Sequence, residues 1–182
     1  MKLPLITASL LALVVGACAS SPPVMMDMPA EDAAAFEDQA IVRWIEATAE
    51  INDMSEEDVR AAMSAELSDR TSIVRQEGHG IYVEYTAPDG RFFSWYPLNT
   101  SVEKGTWSIS GAGSPPEACF KYKDSYHPLT GEFEPEECVP AVQIIGRVYV
   151  VDSREGDVFQ LGTKGIPYAK TAEDLPVWPA DR

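Results

Sequence analysis

An α+β fold that is mainly β is predicted by three features of the sequence: a hairpin signal at Ile81–Tyr96, a series of short alternating strands after it, and helical periodicity before it. The hairpin reads Ile-Tyr-Val-Glu-Tyr-Thr, then Ala-Pro-Asp-Gly, then Arg-Phe-Phe-Ser-Trp-Tyr. Pro88 pre-sets φ for a tight turn, Asp89 tolerates the second central position, and Gly90 supplies the left-handed residue that returns the chain. The arms are rich in β-branched and aromatic residues. Ile81, Val83 and Tyr85 fall on one face and Tyr82, Glu84 and Thr86 on the other, the pattern of a sheet with one dry side. The expected architecture is an antiparallel meander forming a small barrel or sandwich, preceded by one or two amphipathic helices.

The first 17 residues read as a signal peptide. Lys2 gives a positive start and Leu3–Val15 is almost wholly apolar, too short for a good membrane span. The junction Val15-Gly16-Ala17-Cys18 resembles the bacterial lipoprotein cleavage box, with small residues before an obligatory Cys. That resemblance implies that Cys18 becomes the N-terminus and carries acyl chains such as palmitate, enough for stable anchoring. The alternative is an ordinary secretory leader cut after Ala17 or Ala19. Ala19 in place of an Asp after the Cys favours, in the bacterial pattern, the outer membrane and a periplasm-facing protein. Residues 18–31 form a tether whose prolines stiffen it and deny it a helix. Met25, Met26, Asp27 and Met28 offer soft ligands of the kind copper accepts, but a linker needs only to be unstructured and no His stands near.

From Asp32 to Ile51, Phe36, Ala40, Ile41, Trp44, Ile45 and Thr48 recur at three- and four-residue spacing, which predicts an amphipathic helix with these residues on its apolar face. Ser55-Glu56-Glu57-Asp58 resembles a capping box that opens a second helix, with Val59, Ala62, Met63 and Leu67 facing inward. Together they make a helical preface, 32–67, that covers one side or one end of the sheet. The β domain, 68–170, begins with a strand at Ser72–Gln76, followed by the Gly78-His79-Gly80 approach to the hairpin. Leu98–Lys104 is a polar connection. Gly105–Ile109 and Cys119–Tyr122 alternate as strands, Val139–Val151 reads as one long strand with Gly146 a candidate bulge, and a turn at Asp152–Asp157 leads to Val158–Leu161. Residues 171–182 form a C-terminal tail.

With Cys18 lipidated, Cys119 and Cys138 remain as a pair in an oxidising compartment, and a structural disulfide follows. A redox role would want closer spacing and a lowered thiol pKa. Tyr82-x-x-Tyr85-x-x-Pro88-Asp89-Gly90, Gly105-Thr106-Trp107-Ser108-Ile109 and Cys119-Phe120-Lys121-Tyr122, with a later Cys138, together resemble a family of small exported proteobacterial proteins classed as a domain of unknown function. Its members tend to read Tyr-Ala-Pro-Asp-Gly, Gly-Thr-Trp and Cys-x-x-Tyr in that order, over the span matched by Leu67–Gly165. The stretch Lys123–Glu137 is longer than the family's usual spacing between the cysteines. The resemblance implies fold and compartment and supplies no catalytic residues.

Fourteen Lys and Arg stand against 29 Asp and Glu, for a formal net charge of -15. Such a surface repels nucleic acid and leaves cationic partners as the ones it attracts. His79 and His127 sit in neither metal-ligand nor nucleophile spacing, and Ser125 beside His127 lacks a nucleophile elbow. The carboxylates around Glu134 suit calcium by chemistry but lack the EF-hand spacing. No cofactor, metal site or catalytic residue is expected. The expected function is a non-catalytic envelope lipoprotein, a binding or structural module that contacts the membrane through Cys18 and an envelope protein through Tyr82, Tyr96 or the Trp44 face. The alternative is a periplasmic inhibitor of a cationic enzyme such as lysozyme, steered by charge. In the hairpin, Phe93 and Trp95 are expected inward, and Tyr82 and Tyr96 more exposed.

Overall fold

A computed structural model describes residues 26–77, 79–97, 99, 101–110, 115–123, 136–163 and 178. Helices α1 (Ala30–Asn52) and α2 (Glu56–Leu67) lead into strands β1 (Arg70–Gln76), β2 (Gly80–Thr86), β3 (Arg91–Trp95), β4 (Glu103–Ile109), β5 (Glu117–Tyr122) and β6 (Glu136–Pro140). A short helix α3 (Ala141–Ile145) and strand β7 (Val150–Glu155) follow. All pairings are antiparallel, in the order β6-β5-β4-β3-β2-β1-β7, and the sheet curls into a half-barrel with the helices toward its N-terminal side. The fold is α+β, mainly β.

The hairpin forms as its residues dictate. Thr86 pairs with Phe92, Gly90 takes φ +85°, and the Gly90 amide donates to the Ala87 carbonyl to close the turn. Ser55 caps α2: its Oγ accepts from the Asp58 amide and donates to the Asp58 carboxylate. Val59 and Met63 of that helix are buried, as the capping-box reading places them.

Both faces of the sheet are covered, so the expectation of one dry side is corrected. One face buries Ile73, Ile81, Val83, Tyr85, Phe93 and Trp95 beneath Phe159, Leu161 and Trp178. The other carries Phe92, Ala118 and Phe120 against Val59 and Met63 of α2 and Ala141 of α3. Phe93 and Trp95 lie inward as expected, but Tyr82 is buried at 8% exposure and Tyr96 half-buried. The reason is that the helices close over the face that strand alternation alone would leave to water.

Four further expectations are corrected. The apolar run Val139–Val151 is β6, α3 and the start of β7: Pro140 ends the pairing and caps a single helical turn, and a short apolar run does not distinguish strand from helix. Gly146 is the cap of α3, not a bulge; a Cβ there would lie 2.7 Å from the Val142 carbonyl oxygen and 2.9 Å from Ala47 Cβ, so α1 and α3 touch only because it is glycine. Asp152–Glu155 lies within β7, and Val158–Leu161 is a turn in which Asp157 accepts from the Leu161 and Gly162 amides. In α1 the buried stripe is Ala33, Phe36 and Ala47, leaving Ile41, Trp44 and Ile45 exposed. The small residues allow the close approach to α3, and the Arg43 guanidinium donates across the gap to the Arg147 and Val150 carbonyls.

Part of the expected tether is packed on the domain. Met26 is buried, its carbonyl accepts from the Ile81 amide, and Asp27 pairs with the buried Arg75, which also binds Glu37 of α1. Trp178, in the expected tail, packs against Phe159 and donates to Asp152.

Gly105 occupies the middle of β4, opposite Phe92 on one side and Tyr122 on the other. Having no side chain, it lets those two rings meet edge to face across it with centroids 5.6 Å apart. A Cβ would fall 2.2 Å from the Lys121 carbonyl oxygen, a backbone atom with no room to yield. Gly105→Ala is expected to destabilise the fold by about 2 kcal/mol, measured by urea unfolding; an unchanged midpoint would show that this strand spacing is not a constraint.

Candidate functional site

The curl of the sheet and the placing of α2 and α3 leave a cleft of about 90 Å³ between the concave face and the two helices. Strand alternation decides which side chains reach it. Arg70, Ser72, Val74 and Gln76 project from β1, Tyr82 and Glu84 from β2, and Phe120 and Tyr122 from β5. Glu137 and Val139 of β6 close one side, and Glu66 of α2 with Ile144 and Arg147 at the end of α3 close the other. The disulfide Cys119–Cys138 joins directly opposed residues of β5 and β6. It ties down an edge strand at the wall that carries Glu137, contributing roughly 3 kcal/mol for a loop of this length in the entropic account.

Glu84 lines the cleft, half-buried. It stands opposite Ser72 on β1 and Ser94 on β3, and no described residue donates a hydrogen bond to it. Burial, with the negative charge of Glu137 adding to it, pushes its pKa up to about 8. Tyr82 and Tyr122 are raised by the same burial and by the field of Glu84, and Glu137 acts on both. The Tyr82 hydroxyl donates to Gln76, and its ring stacks on Tyr96 at 4.9 Å.

Two arginines, Arg70 and Arg147, also line the cleft. Arg147 sits at φ 49°, a left-handed conformation that glycine ordinarily occupies after a helix, and donates to Ser153 at 2.6 Å while Glu66 lies 3.9 Å away. Arg70 Nε is buried without a hydrogen-bond partner, and no described carboxylate forms an ion pair with Arg70. A cleft that holds an unpaired donor and, on the neighbouring strand, an unsupported carboxyl can engage a ligand through both.

Of the residues singled out in the sequence, Tyr82 lines this cleft and Tyr96 stacks behind it. Trp44 lies on α1, outside the cleft lining, at 39% exposure. His79 contacts the Tyr96 hydroxyl at 3.2 Å. Cys18, Ser125, His127 and Glu134 fall outside the described residues. Among the described residues no group of three His, Cys, Asp or Glu could hold a metal ion, and no helix is long and apolar enough to cross a membrane. Sequence reasoning missed Arg70, Glu84, Glu137 and Arg147. The one available signal was Glu84 between two tyrosines in a strand otherwise built of apolar and aromatic residues. No family model, curated protein or solved structure matches the chain.

Because Glu84 binds its proton more tightly folded than unfolded, its contribution to stability is complete below the ordinary carboxylate range and is lost as pH rises toward 8. Glu84→Gln is therefore expected to gain on the wild type between pH 5 and pH 8, by at most about 1.4 kcal/mol per pH unit. Parallel stability curves in urea across that range would show that Glu84 is not buried uncharged.

Proposed function

We propose that this chain is a non-catalytic module of the bacterial envelope, lipid-anchored at Cys18 and facing the periplasm, that holds a small polar ligand in the cleft beneath α2 and α3. One observation carries the reading: two polar groups of the cleft are left unmet by the residues around them, Arg70 Nε having no partner and Glu84 no described donor. Leaving buried donors and acceptors unmet costs about 1–3 kcal/mol each, a penalty that binding a complementary ligand offsets.

The anchor reading gains from the position of Met26 and Asp27. With these fixed to the sheet, the chain between Cys18 and Met26 reaches at most about 28 Å, so a lipid at Cys18 would hold the cleft close to the bilayer. The exposed Trp44, Ile41 and Ile45 of α1 would then be available to an envelope protein.

Two measurements test this. Mass spectrometry of the N-terminal peptide from envelopes is expected to show Cys18 as the first residue, bearing acyl chains; an unmodified N-terminus at Cys18 or Ser20 refutes the anchor. Residues 19–182, screened against small polar molecules by NMR, are expected to yield a ligand that at a hundredfold its Kd stabilises the fold by about 2.7 kcal/mol. Ser72→Phe, which fills the cleft, is expected to abolish that gain; binding unaffected by this substitution places the ligand elsewhere.

A further inference from the structure

We infer that the ligand of the cleft is a small zwitterion, its anionic group held by Arg70 and its ammonium group by Glu84. The inference rests on the cleft being a binding site and names the chemistry that would fill it.

Arg70 and Glu84 project from neighbouring strands onto the same face. Arg70 pairs with Thr86 and Ser72 with Glu84, so the two charged residues are diagonal neighbours, with Cβ atoms about 7 Å apart. Opposite charges so placed ordinarily close on each other, yet no ion pair joins them within 4 Å, and Arg70 Nε is left buried without an acceptor. Each line of contact therefore ends in the cleft.

The surroundings separate the two ends further. Ser72 and Ser94 stand opposite Glu84, with Tyr82, Tyr122 and Glu137 beyond; the neighbouring cation, Arg70, forms no ion pair with it. A carboxyl pushed up to about 8 by burial is one that lacks a counter-charge, and an ammonium group supplies it. The Tyr82 and Tyr122 rings beside it are surfaces on which a cation also sits well. Arg147, held by Ser153 and near Glu66, brings a second guanidinium to the cleft wall from a left-handed backbone position.

Size narrows the class. A water-sized group needs roughly 10–15 Å³ of cavity space, so the cleft accommodates a ligand of about six to eight non-hydrogen atoms. That is the size of a short amino acid, with its two charges separated by a few carbons.

The test is isothermal titration of residues 19–182 at pH 8.5, where both carboxylate and ammonium are charged, with 4-aminobutanoate, butylamine, butanoate and butan-1-ol as probes. The zwitterion is expected to bind at least tenfold more tightly than either single-charged analogue. Arg70→Gln should remove its advantage over butylamine and Glu84→Gln its advantage over butanoate, while Arg70→Lys, which keeps the charge, should retain part of it. Each variant is first checked for the wild-type fold by its NMR spectrum. Equal binding of butylamine or butanoate, or advantages unchanged in the variants, overturns the zwitterion assignment and leaves the cleft a binding site. A cleft that takes only butan-1-ol, or a neutral molecule from the wider screen, overturns it in the same way. If no small molecule binds at all, the binding-site reading falls with it.

Discussion

Burial of β2 on both faces is the constraint from which the rest of the structure follows. Ile81, Val83 and Tyr85 are sealed by the turn at 158–163 and by Trp178, while Tyr82 and Thr86 are sealed on the other side by the sheet's curl and the helices beyond it. In a strand buried on both faces an acid has little access to water, and Glu84 is the one position of β2 that is half-buried. Glu84 therefore sits half-buried on the cleft wall, with its pKa pushed up to about 8. The only relief available is a cavity, and the cleft provides one.

Keeping that cavity open requires a rigid frame. Gly105 draws Phe92 and Tyr122 together across β4, the disulfide holds β6 to β5, and Gly146 allows α3 to lie on α1. Arg43 secures the return from α3 to β7 through the Arg147 and Val150 carbonyls, and Asp27 with Glu37 neutralises the buried Arg75. These contacts surround the cleft without filling it. Arg75, buried outside the cleft, has two carboxylate partners, whereas Arg70 Nε inside it has none, so the cleft differs in kind from the rest of the interior.

The exposed stripe on α1 has a related origin. Where α1 meets α3 it presents Ala47 rather than Ile or Trp, because only a small side chain lets the backbones approach. Its larger apolar residues are then turned outward. Periodicity alone favours the bulky stripe, and of the residues it placed inward only Phe36 is buried.

Local rules were legible wherever one or two neighbouring residues decided the backbone. Pro88, Asp89 and Gly90 specified the hairpin, Ser55 and Asp58 the start of α2, alternation the strands at Gly105–Ile109 and Cys119–Tyr122, the hairpin with the strand and helix periodicities the fold class, and the cysteine count the cysteine pair. What depended on distant packing was hidden: whether 139–151 is strand or helix, which face of α1 is buried, and the burial of Tyr82. The cleft was hidden most completely. Arg70, Glu84, Glu137 and Arg147 come from β1, β2, β6 and the end of α3, and chemistry is legible in a chain chiefly where its residues are close neighbours. Turns, caps and alternation were written in the chain itself, because local sterics and hydrogen bonding set them. Which charges would be left facing one another across an enclosed space was settled only on folding, because that depends on how far the sheet curls and where the helices settle upon it.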